Sequence, residues 1–276
     1  RHKVIRKNLI GSFPEKSMEE IIRIEKQYYH FFCDYIFETI KLLSISKKNL
    51  KSRMTFEGVD EILKQMEEQK KNFCFVYLGH YCNWEWIASL PYWVPENVLC
   101  GQIYHPLENE HFDRFFQKLR NQYSSENIAM KATLRRIVDI GRQGKQFLIG
   151  FIADQVPTWE SIHHWVTFMN QDTPVFTGTE KIAQRTKSAV FFMHFRRVRR
   201  GKYVANFDFM AEDASLLPEN ELTNMYYEIL EKTIREQPEL WLWTHNRWKR
   251  TRQGQIERER RRVEERRRLA EQAQQK

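Results

Sequence analysis

The feature that most restricts the fold is a series of short apolar runs set between stretches of helical periodicity. Phe73–Leu78 reads as a buried strand, and the runs at 98–104, 147–152 and 189–197 have the same length and character. Tyr203–Met210 follows the last of these across Arg200-Gly201, the pattern of a hairpin. Helix-patterned segments fall at 59–70, 109–121, 131–142, 178–187 and 218–236. Strands that alternate with helices in this way specify an α/β fold, a mixed β-sheet flanked by helices.

The ends differ from this middle. Ser17-Met18-Glu19-Glu20 is a capping-box pattern and predicts an N-terminal amphipathic helix to about Ile45. Its Tyr28, Phe31, Phe32 and Tyr35 are read either as core or as a face lying in a membrane interface. A charged C-terminal helix is expected over 256–273, with a thin stripe at Ile256, Val263 and Ala270. The expected division is a helical segment 1–56, a central domain 57–250 and a basic tail 251–276. Residues 156–176, rich in turn formers and aromatics, read as a long loop.

Composition narrows the classes. At 41% hydrophobic and 14% aromatic residues, a 276-residue chain is too apolar for disorder and long enough for a sizeable core. Cys33, Cys74, Cys82 and Cys100 show neither C-x-x-C nor zinc spacing, and are read as reduced thiols in a cytoplasmic setting. His163-His164 has no carboxylate or Cys at ligand spacing, so no metal or cofactor is expected. Of the net charge of +9, residues 247–276 supply +7, with 12 Lys and Arg against 5 Glu. Such a tail attracts anionic lipid or nucleic acid. The interspersed Glu257, Glu259, Glu264 and Glu265, and the lack of aromatic interleaving, speak against nucleic acid. No apolar run reaches the roughly 18–20 residues of a membrane-spanning helix. The first residue is Arg1, which leaves room for an anchor ahead of it.

His80 and Glu85 carry the chemistry of the sequence. Within one helix, five steps would set them about 140° apart. On a strand–turn–helix path the difficulty disappears, with His80 at the strand's carboxyl end and Glu85 in the next helical turn, capped by Asn83. A His–carboxylate pair there makes a general base. On spacing alone the two read more readily as a surface His with an unrelated Glu. Cys82 offers a second nucleophile, or simply a small buried thiol.

Gly79-His80-Tyr81-Cys82-Asn83-Trp84-Glu85 resembles the H-x4-[D/E] motif of the glycerolipid acyltransferases, in the G-H-x-G-N-W-E form of the bacterial lipid A secondary acyltransferases. Further segments resemble that family in the same order: Asn8 to Pro14, Tyr104 to Asn109 leading to Arg120, Ile152-Ala153-Asp154-Gln155, Phe176-Thr177-Gly178, and Trp241 to Lys249. Cys82 stands where the family commonly has Gly, and Val156 where an acidic residue is frequent. The resemblance implies acyl transfer from an acyl thioester, usually acyl carrier protein, to a hydroxyl of a lipid A precursor. The expected place is the membrane surface at the cytoplasmic face of the bacterial inner membrane. It implies His80 as base oriented by Glu85, and substrate contacts at Asn83, Arg120, Asp154, Gln155, Gly178, Trp243, His245 and Arg247. Arg120 and Asp154 are expected at the acceptor headgroup. On the residues alone, Trp243, His245 and Arg247 are equally structural. Another glycolipid, an aminolipid or a phospholipid as acceptor, or a non-enzymatic basic module, are the competing readings.

Overall fold

In the computed structural model, which describes residues 1–274, helices α1 (His2–Ser12) and α2 (Met18–Leu42) come first. Ser17 and Glu20 form the expected capping box at the start of α2. Tyr28, Phe31 and Tyr35 of α2 are buried, so they pack as core and are not an interfacial face. The large apolar side chains that α2 leaves exposed are Met18, Tyr29, Ile36, Phe37 and Ile40. A short helix α3 (Lys47–Lys51), strand β1 (Met54–Phe56) and helix α4 (Val59–Glu68) lead into the first central strand, β2 (Phe73–Leu78).

The remaining elements are β3 (Leu99–Tyr104), α5 (Glu110–Asn121), β4 (Glu126–Ala129), α6 (Thr133–Arg142), β5 (Phe147–Ile152), β6 (His164–Phe168), β7 (Gln171–Val175), α7 (Gly178–Arg185), β8 (Ala189–Arg199), β9 (Lys202–Ala211), α8 (Glu221–Glu236) and α9 (Arg252–Gln274). Seven strands form one mixed sheet in the order β1-β9-β8-β2-β5-β3-β4, as the alternation of strand and helix predicts. Only the β8–β9 hairpin pairing is antiparallel. Every residue of β2 is buried, as a central strand covered on both faces requires.

The register of β2 with β5 fixes the site. Leu78 lies opposite Ile152, so the chain leaves both strands at one level. Two consecutive tyrosines of α8 hold those ends: Tyr226 donates to the Leu78 carbonyl and Tyr227 to that of Ala153, at 3.0 and 2.8 Å. Gly79 is required by close approach. A Cβ there would come within 2.7 Å of Leu230 and 3.4 Å of the Asp154 carboxylate.

Residues 156–176 are not a structureless loop. They contain the antiparallel β6–β7 hairpin, turning at Met169 and Asn170, both in the left-handed region with φ of 52° and 60°. No glycine marks that turn, and Pro174 lies inside β7, so the usual strand signals are missing.

Candidate active site

Three segments meet at the carboxyl ends of β2 and β5. The turn after β2 is bound to the segment ahead of α9: Cys82 N–H donates to the Leu240 carbonyl at 2.8 Å, and Leu242 N–H to that of His80 at 3.1 Å. Asn8 of α1 clamps the same segment, its amide donating to the carbonyls of Trp243 and His245 at 3.0 and 2.8 Å. Both ends of the matching motif pattern thus converge on one place.

The His80 ring pairs with Asp154, at 2.6 Å from Nδ1 to Oδ1. Asp154 is only 2% exposed and also accepts from the His80 backbone N–H (2.9 Å) and the Trp241 indole N–H (2.8 Å). Burial pushes the Asp154 carboxyl up, but the His80 ring and these donors outweigh it and bring it to about 2. An ionised Asp154 accepts the hydrogen bond from Nδ1–H, which holds the ring proton there and leaves Nε2 of His80 with its lone pair. The Gln155 amide lies 3.2 Å from that nitrogen, and Trp84 meets the ring edge-on at 5.2 Å.

The expected contact between His80 and Glu85 is replaced by a different one. Glu85, 5% exposed, receives two hydrogen bonds from Arg120, at 2.9 and 2.8 Å. This bidentate pair uses the Nε/Nη2 edge of the guanidinium, so the expected headgroup phosphate would have to be met by the Nη1 side. Asp154 has no free oxygen facing a headgroup and occupies the place by His80 that Glu85 was expected to fill. The reason is geometric. Glu85 lies in a 3₁₀ segment (Trp84–Tyr92) and faces α5, whereas His80 and Asp154 each stand two residues beyond paired, in-register strand ends.

The other expected contacts divide. Gln155 and His245 stand at the site, the latter accepting from Val156 N–H through Nε2 at 3.2 Å. Burial, countered by Asp154 and reinforced by Arg247, holds the His245 imidazole down to about 4. Asn83 does not cap the segment after it; its amide donates to Glu38 at 2.5 Å. Trp243 and Arg247 are fully buried beneath the site, so neither meets solvent. Gly178 is exposed at the start of α7, where a Cβ would meet nothing within 4 Å. Trp241 belongs to the site through its bond to Asp154. Its signal in the sequence was its place in the closing Trp-rich segment.

Cys82 is buried beside this turn with φ of 54°, a backbone conformation natural to glycine. Burial raises its thiol to about 12, which removes the thiolate a nucleophile needs.

Among known proteins, no curated sequence matches the chain at a significant level. A family model described as bacterial lipid A biosynthesis acyltransferase matches residues 1–250, which leaves only α9 and the end of the chain outside it. Coverage of that extent, with its early and closing motifs clamped together around His80, shows that the chain belongs to the bacterial lipid A biosynthesis acyltransferase family and is an acyltransferase.

Proposed function

We propose that His80 is the general base for direct transfer of an acyl chain from acyl carrier protein to a hydroxyl of a lipid A precursor. The observation that carries this reading is the buried His80–Asp154 pair, whose Nε2 is met, among the described residues, by the neutral amide of Gln155. The acceptor hydroxyl displaces the Gln155 amide and gives its proton to Nε2 as its oxygen attacks the thioester carbonyl. Asp154, ionised throughout, fixes the tautomer and stabilises the imidazolium. The proton then passes to the departing thiolate, and His80 is restored.

In this reading Glu85 and Arg120 are one unit, a neutralised pair that walls the site. Tyr35 stacks on Trp84 at 4.2 Å, and Arg120 lies over the Phe116 ring at 5.3 Å. The reacting groups are thereby set among aromatic side chains suited to an acyl chain. The buried thiol of Cys82 favours direct transfer over an acyl-cysteine intermediate. A lipid acceptor places the enzyme at a membrane surface, and among the described residues no helix is long and apolar enough to cross it.

The test is purified His80→Ala assayed with acyl-loaded carrier protein and a lipid A precursor. Loss of a positioned base lowers turnover by about 10²–10⁴-fold. Turnover close to that of the unmodified enzyme would remove His80 from this role.

A further inference from the structure

The imidazole of His245 has its tautomer fixed by the backbone. A backbone N–H only donates, so the Val156 N–H held at 3.2 Å makes Nε2 of His245 an acceptor. Its one proton therefore sits on Nδ1. Among the described residues Nδ1 meets no acceptor, and it is not among the fully buried polar atoms left without a partner, so this N–H is unpaired and not fully enclosed. Val156 directly follows Gln155, whose amide marks the position of the acceptor hydroxyl at His80. The His245 backbone is fixed on both sides, with its carbonyl taking the Asn8 amide at 2.8 Å and the Arg247 N–H at 2.9 Å.

A second observation points the same way. Arg247 is fully buried and has no carboxylate partner among the described residues. Only Nη2 is engaged, by the Pro174 carbonyl at 2.7 Å and the Tyr227 hydroxyl at 3.2 Å; Nε and Nη1 are unpaired. A buried cation without a counter-charge is unfavourable for the fold. It supplies a fixed positive potential two residues from His245, and a developing anion gains from such a field.

We infer that neutral His245 donates its Nδ1–H to the thioester carbonyl oxygen as that oxygen becomes an oxyanion, with Arg247 as a positioning residue whose charge strengthens the site. This rests on His80 as base. As the acceptor oxygen bonds to the carbonyl carbon, its proton goes to His80 Nε2 and the carbonyl π pair moves to oxygen, where His245 receives it. Collapse returns that pair, breaks the C–S bond, and releases the thiolate with the proton from His80. His245 cannot serve as a second base, because its lone pair is already bound to Val156.

Three variants of the full chain decide the matter. Asn puts an N–H donor at the δ position, Gln keeps an acceptor for Val156 at the ε position, and Ala has neither. Losing the donor should lower kcat by about 10²–10³-fold with both KM values changed by no more than about twofold. His245→Asn should recover at least about tenfold over His245→Ala, and His245→Gln should not. Recovery by Gln in place of Asn, or a loss expressed in KM alone, overturns the proposal. If the Ala variant fails to fold, the Asn-to-Gln ratio still decides. Parallel assay of His80→Ala separates the two readings, since active His80→Ala removes the base without touching the Asn-to-Gln order.

Discussion

Asp154 accepts three hydrogen bonds in a buried site, so replacing its charge affects catalysis and stability separately. Asp154→Asn keeps the shape and loses the tautomer control, and kcat should fall by about 10²–10⁴-fold while the protein stays folded. Its carboxyl is held below the usual range, so the ionised form stabilises the fold. That contribution, on the order of 2 kcal/mol, is complete above about pH 4 and lost as pH falls through about 2. Urea midpoints between pH 5 and 2 should therefore fall less steeply for Asp154→Asn than for the unmodified protein. Asp213, pushed up by burial but brought to about 2 by Lys71 and Ser215, keeps part of the slope in both. Glu85 behaves differently. Glu85→Gln strands the Arg120 charge and should cost about 3–5 kcal/mol, whereas the double variant Glu85→Gln/Arg120→Gln should recover most of it. Equal melting losses in the single and double variants would show that the pair is not a unit. At Cys82 the backbone conformation favours glycine by about 1 kcal/mol, offsetting the lost thiol packing, so Cys82→Gly should keep most activity and stability. Mass spectrometry after adding donor alone should find no acyl adduct on Cys82.

At the scale of elements, the β6–β7 hairpin and α9 have opposite standing. The hairpin is tied to α8, α1 and the segment ahead of α9: Met169 N–H donates to Glu231 of α8, the Asn170 amide to the Ser12 carbonyl of α1, and the Trp248 indole to Thr173. It helps bury Arg247 and so belongs to the site's support. Among the described residues, the helix α9 is anchored near its start, by Arg252 to Asp172, Trp165 to Gln255, and Arg258 to Glu160. From Ile256 to Gln272 its residues are exposed. A chain ending at Arg260 should melt within about 0.5 kcal/mol of the full chain, because surface groups outside the core contribute little. A larger drop in a thermal scan would mean that the distal helix packs on the domain.

For the molecule as a whole, the proposed lipid acceptor calls for a way of holding a lipid surface, and the exposed apolar side chains of α2 and the basic tail are the two candidates to be tested. Phe37 is 73% exposed and Ile40 51%, so their burial in an interface supplies an apolar contribution that does not depend on charge. Flotation with anionic vesicles should show binding weakened at least about tenfold by Phe37→Glu/Ile40→Glu, at high and low salt alike. Neutralising the arginines of 258–268 should weaken binding only at low salt, where surface charge acts over longer distances. Undiminished binding by the α2 variant, with loss on neutralising the tail, would assign the attachment to α9.

The sequence by itself determined most of the central elements and the family, though not the β6–β7 hairpin. Apolar runs separated by helical patterns specified the α/β sheet, and Ser17 with Glu20 specified the start of α2, because burial periodicity and capping are short-range properties. The ordered motifs located the turn at His80. The partner of His80 was decided only by tertiary structure. Glu85 is five residues away in sequence, but the pairing of β2 with β5 sets Asp154 beside His80 from 74 residues away. Both residues stand two positions past their strands, an equal offset that has no meaning until the strands are known to be neighbours. The same holds for Asn8 with Trp243 and His245, and for the burial of Arg247, since long-range pairing and burial are properties of the packed chain and leave no local pattern.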